Sequence, residues 1–238
     1  MKIISMKDIN KKIGGKQILS NANFELNSKE ICALIGPNGA GKTTFLKVLL
    51  NLINADTGIV EINDSQMTSK NINYLLPKFG VMLKYPESIS KLSINNLFKQ
   101  HEHYMKVRQV DSTENLLKKV KLNVTLDTEV GKLSLGMKQR LLLALAISSD
   151  PTVIILDEPF NGLDVDGVDL FKSILKELRE KGKSIIITSH SLSDLNGLVD
   201  SVIFLNNGTT LPKISMQVID KKYNGSIKDY YREVHNND

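Results

Sequence analysis

The sequence contains a single cysteine, Cys32, so no internal disulfide can hold the chain together. Cys32 sits inside the apolar run Ile31 to Ile35 and reads as a small core residue in a reducing compartment. Long hydrophobic runs are missing as well. The longest near the middle, Leu141 to Ile147, falls far short of the roughly 18 residues a membrane span requires. The opening residues Met1, Lys2, Ile3, Ile4, Ser5, Met6 and Lys7 lack the apolar core of a secretion signal. The expectation is a cytoplasmic chain with no spanning segment of its own. Low-complexity tracts, internal repeats and linkers rich in Pro, Gly or Ser are also absent, leaving no seam between independent halves. Nor does one sign of charge dominate: 31 Lys plus Arg against 26 Asp plus Glu give +5. That excess admits a nucleotide, a nucleic acid or a membrane surface as partner. The lysines are scattered, however, and their densest clusters (Lys118, Lys119, Lys121; Lys221, Lys222) fall in amphipathic helix or loop and read as solvated faces. No nucleic-acid partner is expected.

What is present is ordinary globular material: 238 residues, 41% apolar and 24% charged, ample for a buried core. One domain spanning 1–238 is the default. Ile31 to Ile35 reads as a strand, followed by a glycine-rich turn and a helix over Thr43 to Ile53, where Phe45, Leu49 and Leu52 recur at helical spacing. Val153 to Leu156 and Ser184 to Thr188 read as buried strands. Between them Leu170, Phe171, Ile174, Leu175 and Leu178 mark one face of a helix that starts by Asp164 and Asp166 and stops at Gly182. Strand, helix, strand in this rhythm predicts an α/β fold with a mostly parallel sheet. The stretch 90–149 carries helical patterns (Ile94, Leu97, Phe98; Leu116, Leu117, Val120; Leu141, Leu145) and reads as a helical insertion. The first thirty residues read as short antiparallel strands flanking the sheet. After the turn signal Asn206, Asn207, Gly208, the tail 206–238 ends in Ile227, Tyr230, Tyr231 and Val234, spaced for a helix that packs back on the body.

Two segments carry chemistry. Gly36, Pro37, Asn38, Gly39, Ala40, Gly41, Lys42, Thr43, with Thr44 next, follow one expected strand and open an expected helix. This is the setting of a phosphate-binding loop: glycines let successive N–H groups turn toward phosphates, and the helix N-terminus adds its positive end. Lys42 would bring a point charge to the β and γ phosphates, and the Thr43 hydroxyl would ligate Mg²⁺. The second segment, Val153 to Glu158, delivers two carboxylates at the end of a strand, where open α/β sheets bind ligands. Asp157 would hold Mg²⁺ directly or through water and Glu158 would polarise the attacking water, with strand alternation separating their tasks.

With these two motifs in place the sequence resembles the nucleotide-binding subunits of ATP-binding cassette transporters, a phosphate-loop NTPase family, along essentially its whole length. Leu133, Ser134, Leu135, Gly136, Met137, Lys138, Gln139, Arg140 resembles the cassette signature. The resemblance implies that the Ser134 hydroxyl and the Gly136 amide close on the γ phosphate held by an opposite subunit, in a head-to-tail dimer with itself or with a related cassette. Asn161, Gly162, Leu163, Asp164 resembles the loop that crosses this interface. Thr188, Ser189, His190 resembles the switch that brings a histidine to the γ phosphate and helps position water. A separate transmembrane permease is implied, docking beside Lys84 to Leu97 and holding the chain on the inner face of the membrane.

Four positions depart from the family pattern. Ile13, in Lys11, Lys12, Ile13, Gly14, stands where an aromatic usually stacks on adenine, and offers apolar contact only. Lys84, in Phe79, Gly80, Val81, Met82, Leu83, Lys84, Tyr85, Pro86, stands at or beside the usual Mg²⁺-linking glutamine. A cation does not ligate Mg²⁺, so either a neighbour substitutes or Lys84 meets phosphate or the partner. In the signature, Leu135 and Met137 replace glycine and glutamine, which resembles the exporter subgroup handling drugs, bacteriocins and lantibiotics. Two further readings stay open: a soluble cassette ATPase acting on nucleic acid or the ribosome, and a nucleotide-sensing module that does not hydrolyse. His101 and His103, two apart on a helix, do not share a face and read poorly as a metal site. The Asn-x-Ser/Thr triplets at Asn123, Asn207 and Asn224 imply no glycan in a cytoplasmic chain.

Overall fold

The computed structural model describes residues 1–68, 70–84 and 86–236, the side chains of 234–236 excepted. Tyr85 and the Val234 side chain, both named above, lie outside the described residues. In chain order the elements begin with β1 (Lys2–Ile13), β2 (Lys16–Asn27), β3 (Ile31–Ile35), α1 (Lys42–Leu49), β4 (Thr57–Ile62), β5 (Ser65–Gln66) and α2 (Ile72–Leu75). Next come β6 (Phe79–Met82), α3 (Ile94–Met105), α4 (Thr113–Lys119), α5 (Leu135–Ile147), β7 (Val153–Asp157) and α6 (Val165–Glu180). The last are β8 (Ser184–Ser189), β9 (Ser201–Asn206), β10 (Thr209–Thr210), β11 (Ile214–Ser215), α7 (Met216–Tyr223) and α8 (Ile227–Asn236). They gather into two compact units, Met1–Ile72 with Ser184–Asp238 and Asn73–Lys183.

The first unit contains two sets of paired strands. β3, every residue of which is buried, lies between β8 and β9 and runs parallel to both. A strand buried on both faces reads as a continuous apolar run, and this is why Ile31 to Ile35 shows no alternation. β10 and β11 add to β9 as antiparallel edges. In the other sheet the order is β2-β1-β4-β5, all antiparallel. β1 and β2 are twelve residues each, not the short strands expected from sequence. Irregular register between Lys2 and Lys12 breaks their alternation, so the sequence conceals their length. α1 packs on this unit through Phe45, fully buried edge-on against Phe24 at 5.5 Å. It ends at Leu49 and not at Ile53, because Leu50 caps it and Asn51 turns to φ 53. Cys32 is fully buried, and burial pushes its thiol up to about 12, an inert core group.

The second unit pairs β6 with β7 in parallel, Phe79 opposite Val153 and Met82 opposite Leu156. Three helices, α3 to α5, lie in sequence between these two strands. α5 passes so close behind β6 that a Cβ on Gly80 would overlap the Ala146 carbonyl. In this unit α3, α4, α5 and α6 open on side-chain caps, Ser93, Ser112, Ser134 and Asp164 respectively. Each satisfies an N–H that the helix itself leaves without partner. Burial of His101 on α3 holds its imidazole below the usual histidine range, as expected of a ring packed into a helix face. The architecture is therefore the α/β phosphate-loop NTPase fold: parallel core strands, an N-terminal antiparallel sheet and inserted helices. Among the described residues no helix is long and apolar enough to cross a membrane.

Candidate functional site

The first unit builds the phosphate loop. β3 ends at Ile35, and the Gly36 N–H donates to the Ser189 carbonyl of β8 at 3.4 Å. Gly36 rests against the Leu205 carbonyl of β9, leaving no room for a side chain. Gly41, the residue that opens α1, adopts φ 106, and a Cβ there would stand 3.0 Å from the Ile18 carbonyl. Only glycine takes that backbone without strain. No side chain caps α1 at Gly41, and no acidic residue occupies its first turn. An anion at this end meets the positive pole of the helix.

Lys42 is 7% exposed and folds back into the loop, its Nζ donating to the Gly36 carbonyl at 2.6 Å and to the Pro37 carbonyl at 3.3 Å. The loop is thus wrapped around a cation. Pro37, Asn38, Gly39 and Thr43 are exposed, Thr44 is half-buried, and Ala40 is buried. His190 is exposed immediately after β8, and the parallel register Ile35 to Ser189 sets it level with Gly36. Two regions far apart in sequence are therefore neighbours at one sheet end. Ile13 is 49% exposed at the end of β1, opposite Lys16, on the hairpin whose second strand passes Gly41 at Ile18.

The second unit carries the acidic residues and the signature. Asp157 ends β7 and is half-buried, as is Glu158. Glu158 lies beyond the strand in the left-handed region at φ 51, with the Asn161 N–H donating to its carbonyl at 3.3 Å. This corrects the sequence reading, which assigned the separation of the two carboxylates to strand alternation. A turn sets the direction of Glu158.

Ser134 is exposed and caps α5, its Oγ accepting from the Met137 N–H at 3.3 Å. Gly136 faces the Gly162 carbonyl, and the Leu135 side chain covers Gly162. The start of the signature helix and the Asn161 to Asp164 turn are therefore packed together. Asp164 caps α6 through the Gly167 N–H at 2.9 Å and lies 3.9 Å from Arg140. Arg140 also donates to the carbonyls of Val120 and Lys121, each at 3.3 Å, closing the end of α4. Nothing local in the chain announces this role, because the arginine that ends the signature carries no periodicity of its own. Lys84 is exposed just beyond β6 and has three donors but no lone pair for a metal. The Thr43 hydroxyl and the Asp157 carboxylate, one in each unit, are each hard oxygen donors of the kind Mg²⁺ prefers.

A loop of this kind, on a parallel-sheet core with carboxylates at a strand end, defines the phosphate-loop NTPase class. The model of the ABC transporter family matches residues 19–161, and the chain belongs to that family as an ATP-binding subunit. It is 32% identical over 224 residues to the lantibiotic transport ATP-binding protein SrtF of Streptococcus pyogenes, covering 94% of this chain and 93% of that protein. To the bacitracin transport ATP-binding protein BcrA of Bacillus licheniformis it is 32% identical over 221 residues, 92% of this chain and 72% of the relative. To the zinc import ATP-binding protein ZnuC of Hydrogenovibrio crunogenus it is 35% identical over 207 residues, 86% and 79% of the two chains. Among solved structures, an ATP-binding subunit of an ABC transporter shares the fold with a TM-score of 0.85 at 24% identity, covering 98% of this chain and 99% of that one.

Proposed function

We propose that the chain binds MgATP in the loop Gly36 to Thr44, hydrolyses it, and energises a separate transmembrane permease that exports drugs or antimicrobial peptides. The observation that carries this reading is the phosphate loop folded around the buried Lys42 ammonium, with His190 set level with it by strand register. In this account the loop amides and Lys42 orient the phosphates for in-line attack by water on the γ phosphorus. Glu158 accepts a hydrogen bond from that water and draws off its proton as the new P–O bond forms and the bond to ADP breaks. Mg²⁺, when bound at Thr43 and Asp157, supplies charge neutralisation at the phosphate oxygens. Ser134, Gly136 and Asp164 serve a nucleotide shared with a second cassette, either another copy of this chain or a related subunit. Ile13 supplies an apolar contact to the base.

The chain then acts as one ATP-binding domain over 1–238, with a helical subdomain at 90–149 and a tail at 206–238. The permease meets the region around Lys84 to Leu97 and keeps the subunit on the inner face of the membrane. The named cargoes of SrtF and BcrA, lantibiotic and bacitracin transport, support this class of substrate, and ZnuC, named for zinc import, supplies the competing reading. A strain lacking the chain should become more susceptible to lantibiotics or bacitracin, as read by minimum inhibitory concentration. Unchanged susceptibility together with impaired growth at limiting zinc would contradict export and favour uptake.

A further inference from the structure

The turn signal Asn206, Asn207, Gly208 has no part in the mechanism above, yet the fold sets it against the phosphate loop. Asn206 pairs with Thr209 across a two-residue turn in which Asn207 has φ 46 and Gly208 φ 82, the left-handed pair that an Asn-Gly hairpin favours. The Gly208 N–H donates to the Ala40 carbonyl at 3.2 Å, and the Gly208 carbonyl accepts from the Ser20 N–H at 2.8 Å. The turn is thus held between β2 and the phosphate loop. Its approach to β2 is so close that a Cβ on Gly208 would overlap the Ile18 carbonyl. The strand leading into the turn is anchored from the other side. Phe204 of β9 is buried against Tyr231 at 5.0 Å and Tyr230 at 5.6 Å, both from α8. One residue later, the Leu205 carbonyl lies against Gly36.

A trans peptide is planar, with its carbonyl and the following N–H pointing in opposite directions. By holding the Ala40 carbonyl, Gly208 fixes the Gly41 N–H to point away from the turn. We infer that the Asn207-Gly208 turn is a positioning element of the nucleotide site, presenting the Gly41 amide to phosphate through its bond to Ala40. The inference rests on the phosphate-loop reading proposed above. A loop already ordered loses less freedom when the ligand arrives, so loosening the turn should appear as lost affinity.

The test is titration calorimetry of the full chain with MgADP, at a temperature where each variant is folded by circular dichroism. Gly208→Ala forces a left-handed alanine into a space without room, and should raise the dissociation constant about tenfold. Asn207→Gly adds backbone freedom without a clash and should raise it about threefold, which decides the matter if Gly208→Ala does not fold. A role confined to stability would lower the melting temperature and leave the dissociation constant unchanged, and that result in a folded variant overturns the inference. Lys42→Ala serves as the reference. If it binds MgADP as the unaltered chain does, the phosphate-loop reading itself falls; if it loses binding while both turn variants keep theirs, only the positioning role falls.

Discussion

Replacing Glu158 by glutamine should lower ATP turnover by at least about a hundredfold while leaving nucleotide binding intact, the loss expected when a general base is removed. The side chains are nearly isosteric, and the amide oxygen still accepts a hydrogen bond from water. What disappears is the negative charge that takes the proton. Because Glu158 is placed by a left-handed turn beyond β7, the strand does not bring a neighbouring carboxylate into the same position. The phosphate loop belongs to a different stretch of chain and is untouched by the substitution. Phosphate release should therefore collapse while ATP is retained on the protein. Turnover within a few-fold of the unaltered chain would remove Glu158 from the role assigned to it.

The second large effect is expected at Lys42. Lys42→Ala removes a buried ammonium that contacts the Gly36 and Pro37 carbonyls and, in the proposed complex, the β and γ phosphates. Hydrogen bonds to charged groups contribute about 1.5–3 kcal/mol each, so losing them should weaken MgATP binding by about a hundredfold. The two carbonyls lose a donor as well, and the nucleotide-free chain should melt at a lower temperature. Calorimetric titration with MgATP, paired with thermal unfolding, reads both. An unchanged dissociation constant would mean that nucleotide binds elsewhere.

The residues that made these expectations possible were readable because each is local. A glycine-rich turn between an apolar run and a helical pattern, and two acids after four apolar residues, need no tertiary information. The helix of Val165–Glu180 was equally plain, since its apolar face, its Asp164 cap and the Gly182 stop agree with one another. What escaped was set by packing between distant segments. β1 carries Lys7, Asp8, Lys11 and Lys12, and its backbone turns to φ 52 at Asp8, so neither composition nor alternation announces a twelve-residue strand. β4 is exposed or half-exposed up to its last residue, Ile62, and shows no buried alternation to read. β9 did leave a signal, the run Val202 to Leu205 before an Asn-Asn-Gly turn, but its value lies in pairing with β3, which sequence spacing does not show.

The same division holds at the site. The sequence placed Gly36 to Thr43 and His190 at the ends of separate strands; the parallel register of β3 and β8 makes Gly36 and His190 neighbours. It named Leu135 as a departure from the signature, and the fold gives that side chain a purpose in covering Gly162. Arg140, which joins the end of α4 to the cap of α6, had no local pattern that could have revealed it.

The central claim is that this chain is the ATP-driven part of a transporter whose membrane-spanning part is another polypeptide. The most direct test is to tag the chain in its native cell, solubilise the membranes in mild detergent, and identify stoichiometric partners by mass spectrometry. Recovery of a multi-span membrane protein is the predicted result. Recovery from the soluble fraction with ribosomes, with nucleic acid or alone would contradict the account and favour a soluble cassette ATPase.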